Sequence, residues 1–170
     1  MRLTIIYPII IILLFWVCKS DPAVRTLVNE KNVKDVLITL FVETDNRHWE
    51  KVKSCFADEV LFDMTSLAGG EPVRMTPQQI VDGWANGLKA LQAIHHQVGN
   101  FKIEVSTNEA NAFCYGIASH YLSNDSGKNT RTFIGSYDFH LILIDNIWKI
   151  DQFKFNSKYV TGNLNLEASE

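Results

Sequence analysis

The chain has only three cysteines in 170 residues, none spaced as CxxC or set at zinc-type intervals from a histidine. That excludes a zinc ribbon or finger and a domain stapled by several disulfides. Cys55 falls on an expected helix and Cys114 among small residues on an expected strand, so both read as buried free thiols. A basic stripe is also missing: the 16 Lys and Arg are scattered and the net charge is −3, which argues against nucleic acid as a partner. No apolar run reaches the roughly 20 residues a membrane-spanning helix needs. Ser66 and Ser136 lack partners at nucleophile spacing, so no hydrolase triad is supported. Internal repeats and low-complexity segments are absent as well.

What is present fits one globular domain. Residues 5–17 form an almost wholly apolar run after Arg2, ending at Cys18-Lys19-Ser20. Its length suits a secretory leader. Three fates stay open for it: a lipoprotein acylated at Cys18, a cleaved export signal, or an uncleaved anchor. Each implies export and places any membrane contact in residues 1–20. The remainder leaves room for a single domain of about 145 residues, expected over 24–160, with a polar, disordered tail over 161–170.

Along that domain, Val33, Val36, Leu37, Leu40 and Phe41 recur at helical spacing. Cap-type residues at Thr44-Asp45-Asn46-Arg47 separate this helix from a second over 48–56. Alternating Val60, Phe62 and Met64 predict a strand, and Thr76-Pro77-Gln78-Gln79 predicts a capped helix start. Strand-like stretches follow at 101–105, 112–122, 132–144 and 147–155, parted by turn sequences such as Asp145-Asn146. The order predicts an α+β domain in which a curved antiparallel sheet of four to six strands carries about three helices on its concave face.

Histidine supplies the chemistry. His96 begins one strand-like run and His120 ends the next, and a hairpin whose paired positions sum to roughly 215 sets His96 opposite Ser119. A single bulge would set it opposite His120. Two imidazoles facing one cavity form an acid/base pair near neutral pH. His95 has the opposite parity and reads as outside; His48 and His140 read as surface residues. Ala110, Ala112, Cys114, Gly116 and Ala118 share the parity of His120, so this face either receives bulky helix residues or floors a pocket. The other face, with Phe113, Tyr115 and Ile117, is apolar enough to suggest a homodimer through the outer side of the sheet.

The motifs Thr44-Asp45-Asn46-Arg47-His48-Trp49, Phe56-Ala57-Asp58-Glu59-Val60, Met75-Thr76-Pro77-Gln78-Gln79-Ile80, His95-His96-Gln97-Val98-Gly99-Asn100, Ser119-His120-Tyr121 and Gly135-Ser136-Tyr137 occur in an order that resembles the NTF2-like superfamily, in particular its SnoaL-like branch. The resemblance implies a cone-shaped fold with a small-molecule ligand inside. Its scytalone dehydratase-like members imply removal of water from a hydroxy-ketone with no cofactor and no metal. Matched motif by motif, the catalytic aspartate corresponds to Asp45 and the two histidines to His96 and His120. The two tyrosines that hold water against the substrate carbonyl correspond to Thr44 and Met64, so that pair is missing. Expected wall residues are Phe62, Met64, Leu67, Trp84, Leu88, Val98, Tyr121, Tyr137 and Phe155. The chain then reads as a binder of a small apolar, carbonyl-containing ligand, with dehydratase or isomerase chemistry, or as a non-catalytic binding or dimerisation module of the cell envelope.

Overall fold

A computed structural model describes residues 21–168, so the leader and Cys18 lie outside the described residues. Helix α1 (Pro22–Asp45) opens with Asp21 accepting a hydrogen bond from the Ala23 amide at 2.8 Å and with Pro22 in the first turn, where a missing N–H does no harm. Its buried stripe is Val33, Leu37, Leu40, Phe41 and Thr44. Helix α2 (Trp49–Ser54) follows, then strand β1 (Phe56–Asp63), the one-turn helix α3 (Thr65–Ala68), strand β2 (Val73–Met75) and helix α4 (Pro77–Gly87). The capping box expected at Thr76 and Gln79 starts α4. Four long strands complete the domain: β3 (Ala93–Val105), β4 (Glu109–Tyr121), β5 (Thr130–Ile144) and β6 (Ile147–Gly162).

The six strands form one sheet in the order β2-β1-β6-β5-β4-β3, antiparallel except for the parallel pair β1–β6. That parallel pair arises because β1 is reached from the helical half of the chain, whereas β3 to β6 follow one another as hairpins. Asp145 and Asn146 both take positive φ, 49° and 63°, as a two-residue hairpin turn requires. Register shifts interrupt β3–β4 between Gly99 and Lys102, and β5–β6 between Ile134 and Gly135 and between His140 and Leu141. Bulges of this kind bend strands and strengthen twist, and here they curl the sheet into a half-cone.

The core lies between the concave face and the helices. Val33, Leu37, Leu40 and Phe41 share it with Ala110, Ala112, Cys114, Phe139, Leu141 and Ile150. The small face of β4 therefore does both things open to it: the Ala110–Cys114 end takes helix side chains, while Ala118 and His120 floor a pocket. Cys55 and Cys114 are free and buried. Two expectations change. Residues 163–167 are not a disordered tail, because Leu166 is fully buried against Leu91 and Ile94 and begins a 3-10 turn, Leu166–Ala168. His140 is not a free surface residue; it is largely buried and its Nδ1 lies 2.7 Å from Asp151.

Candidate functional site

Asp45 is the last residue of α1, a position that opposes a carboxylate because the helix dipole is negative there. Two hydrogen bonds from one residue offset this. The His96 amide donates to Oδ2 at 2.8 Å, and His96 Nδ1 lies 2.6 Å from Oδ1. A carboxylate can only accept, so Nδ1 carries a proton, and in the neutral ring Nε2 is the nitrogen with the lone pair. Phe41, one turn before Asp45, packs its ring 5.2 Å from the imidazole and holds the ring plane.

His96 pairs with Ala118, and His120 pairs with Ile94. The expected register holds on the turn side, from Lys102–Phe113 to Val105–Ala110, and is one residue off at the histidines. The bulge beside Gly99 is real but shifts the strand the other way, so the two histidines stand on one face as diagonal rather than direct neighbours. His120 is 9% exposed and its Nδ1 lies 3.3 Å from Arg131 Nη2. A guanidinium can only donate, so here Nδ1 accepts and the ring proton sits on Nε2. Burial first, then the Arg131 cation, then His96, push the His120 pKa down to about 4. His120 is neutral at pH 7. The site thus holds one histidine offering a lone pair and another offering an N–H.

Both rings open into a cavity of about 230 Å³, just below the usual range of roughly 300–1,000 Å³ for ligand pockets. Asp45 is in contact with His96, and Met64, Leu67, Trp84, Leu88, Tyr137 and Phe155 line the cavity with His96 and His120. Three expected wall residues do not. Phe62 stacks on Phe153 with ring centroids 5.0 Å apart, Val98 packs half-buried against the core, and Tyr121 lies exposed on the outer face because its parity is opposite to that of His120. Phe41, Thr44, Gly83, Gly87, Ala118, Phe133 and Phe153 line it in addition. Phe41 was legible from helical spacing to Asp45, Thr44 from helical spacing to Phe41 and Leu40, and Phe133 and Phe153 from strand spacing to Tyr137 and Phe155.

The tyrosine pair is absent in space as well as in sequence. Thr44 reaches the cavity, but its hydroxyl donates to Leu40 O at 2.7 Å, and Met64 has no donor. Tyr137 is the phenol in the wall, packed against Phe41 and Phe155. Burial, with smaller contributions from Cys114 and Asp45, raises its pKa, so the hydroxyl keeps its proton.

A family model described as the SnoaL-like domain matches residues 25–154. No curated protein sequence matches the chain significantly. Among solved structures, a Kribbella flavida protein superposes with a TM-score of 0.75 at 15% identity, covering 79% of this chain and 95% of that one. A candidate scytalone dehydratase from Novosphingobium aromaticivorans gives 0.70 at 15% identity, covering 83% and 91%. The type 3 hexachlorocyclohexane dehydrochlorinase LinA from Novosphingobium barchaimii gives 0.70 at 17% identity, covering 84% and 94%. At such identities the structural likeness speaks for the fold alone. With the family model covering most of the domain, the chain belongs to the SnoaL-like family, within the NTF2-like fold.

Proposed function

We propose that the cavity binds a compact, apolar, carbonyl-bearing ligand and that Asp45, His96 and His120 carry a cofactor-independent dehydration or isomerisation on it. The observation that carries this reading is the 2.6 Å Asp45–His96 contact, which leaves a basic Nε2 at an apolar cavity beside a neutral N–H donor. His96 Nε2 would take the proton from the carbon next to the carbonyl. The C–H electron pair moves into the carbonyl, and the resulting enolate oxygen is met by the Nε2–H of His120 and the hydroxyl of Tyr137. Collapse of the enolate breaks the C–O bond at the neighbouring carbon, and the leaving hydroxide takes the proton back from His96 as water. Returning that proton to a different carbon of a conjugated enolate instead gives isomerisation.

His120 is a poor proton donor in its neutral state and serves better as a fixed electrophile. Neutral imidazole is known to polarise carbonyls in this way. That would compensate for the missing tyrosine pair. The names of two structurally similar proteins, a dehydratase and a dehydrochlorinase, both denote eliminations, which agrees with the first reaction.

The test is turnover of a panel of cyclic β-hydroxy-ketones, with Asp45→Asn as the control variant. Loss of the carboxylate frees the His96 tautomer, and turnover is expected to fall about 10²-fold or more, in line with general-base contributions of 10²–10⁴. Ligand affinity is expected to change little. The committed hydroxyl of Thr44 and the thioether of Met64 favour a second reading, a non-catalytic ligand-binding module of the cell envelope. Ligand binding without turnover in the unsubstituted protein would select it.

A further inference from the structure

The C-terminal segment makes the contact that decides what His120 can do. Arg131 is the direct cross-strand partner of His120 and lies on the inner face of β5. Its side chain is long, its side-chain surface is 17% exposed, and its Nε has no hydrogen-bond partner among the described residues. A guanidinium so placed needs an anion, since an uncompensated buried charge is strongly unfavourable. Glu167 supplies it. Its Oε2 accepts from Nη1 at 2.7 Å and its Oε1 from Nη2 at 2.5 Å, a two-pronged pairing that fixes the plane of the guanidinium. The same Nη2 donates to His120 Nδ1.

Glu167 reaches this place through a built turn. Gly162 ends β6 with φ +91°, and a Cβ there would fall 2.3 Å from Thr130 O, so glycine lets the chain fold back close to β5. The Asn163 amide then donates to Thr130 O at 2.8 Å. Leu166 closes the turn, fully buried with Leu91 and Ile94 and packed against Leu88, which is also a wall of the cavity.

We propose that the segment 162–167 is a positioning strap: Leu166 docks it, Glu167 holds Arg131, and Arg131 keeps His120 with its N–H on Nε2, facing the cavity. Arg131 and Glu167 are positioning residues. The catalytic consequence rests on the function proposed above, whereas the tautomer itself is a property of the free protein. Without Glu167, Arg131 gains more by turning to water than by staying on one neutral acceptor, and His120 Nδ1 loses the donor that defines the ring.

The experiment is nitrogen-15 NMR of the histidine rings in the full chain, comparing the unsubstituted protein with Glu167→Gln and Arg131→Leu. Two-bond nitrogen–proton correlations report which ring nitrogen is protonated. The unsubstituted protein should show His120 wholly as the Nε2–H form and His96 as the Nδ1–H form. In both variants the His120 pattern should become a mixture of the two forms, while His96, as internal reference, stays unchanged. Should Arg131→Leu fail to fold, Glu167→Gln decides alone, because Glu167 is partly exposed and its replacement keeps the side chain's size. An unchanged His120 pattern in Glu167→Gln overturns the strap's role. A His120 proton on Nδ1 in the unsubstituted protein overturns the whole arrangement. The expected tautomers with no turnover of any hydroxy-ketone would count against the proposed function and leave the strap standing.

Discussion

At the scale of single residues, the site depends on side chains that break local preference and are compensated by one another. Asp45 stands at the wrong end of a helix for a carboxylate and is held there by His96. Gly116 is the counterpart in the sheet. A Cβ at this position would lie 2.2 Å from the Tyr137 ring, so the bare backbone is what allows the phenol to lie flat against β4 beside the histidines. Gly116→Ala is therefore expected to displace that ring and to destabilise the protein by about 1–3 kcal/mol, the usual penalty of overpacking. Tyr137→Phe, which keeps the ring and removes only the donor, should leave stability nearly unchanged and slow turnover. If the hydroxyl serves the enolate as an oxyanion donor, the loss is about 10²-fold. Parallel denaturation curves and turnover of the two variants separate packing from chemistry. Gly116→Ala with unperturbed stability would show that the ring has room to move.

At the scale of elements, α4 and its C-cap contribute Gly83, Trp84, Gly87 and Leu88 to one wall, and the two glycines of the helix are what keep that wall open. Gly83 is interior to the helix, has no positive φ, and a Cβ built on it meets nothing within 4 Å. Gly83→Ala should raise stability by about 0.5–1 kcal/mol through helix propensity. The added methyl enters the cavity, so affinity for the bulkiest ligands should drop. A higher melting temperature with weaker binding is the expected pair of outcomes, and a helix that gains no stability would contradict it. Elements were the most legible level of this chain. The capping box at Thr76, the stripe of α1 and the turn at Asp145 each announce themselves within a few residues. The site was half legible: Asp45, His96 and His120 carry their chemistry in their identity. Register was not, because the bulge at Gly99 can shift pairing in either direction and only the packed sheet selects one. Arg131 and Glu167 left no local signal, since one sits at the start of β5 and the other 36 positions away in a polar tail, and only the return at Gly162 brings them together.

At the scale of the whole molecule, burying a histidine without its charge couples the site to overall stability. His120 titrates at about 4 in the folded protein, against about 6.5 for an unperturbed histidine. The folded value is the lower one, so as pH falls the unfolded chain binds the proton first. Above pH 6.5 neither state is protonated there and stability is unaffected. Between 6.5 and 4 the unfolded state is progressively favoured, and below 4 the difference is complete, amounting to roughly 3 kcal/mol. Glu43, Asp63 and Glu167, all held below the ordinary carboxylate range, also lose their contribution in acid, but only as pH drops through their unfolded values of 4.5 and 3.8, which overlaps the lower end of that window and leaves pH 7 to 5 to His120. Denaturant midpoints measured from pH 7 to 5 should therefore decline in the unsubstituted protein and decline less in His120→Gln, whose side chain can still take a hydrogen bond from Arg131 without titrating. The two curves running parallel would mean that His120 gains its proton as readily folded as unfolded. In that event the neutral N–H donor on which the carbonyl chemistry depends would give way to imidazolium below about pH 6.5.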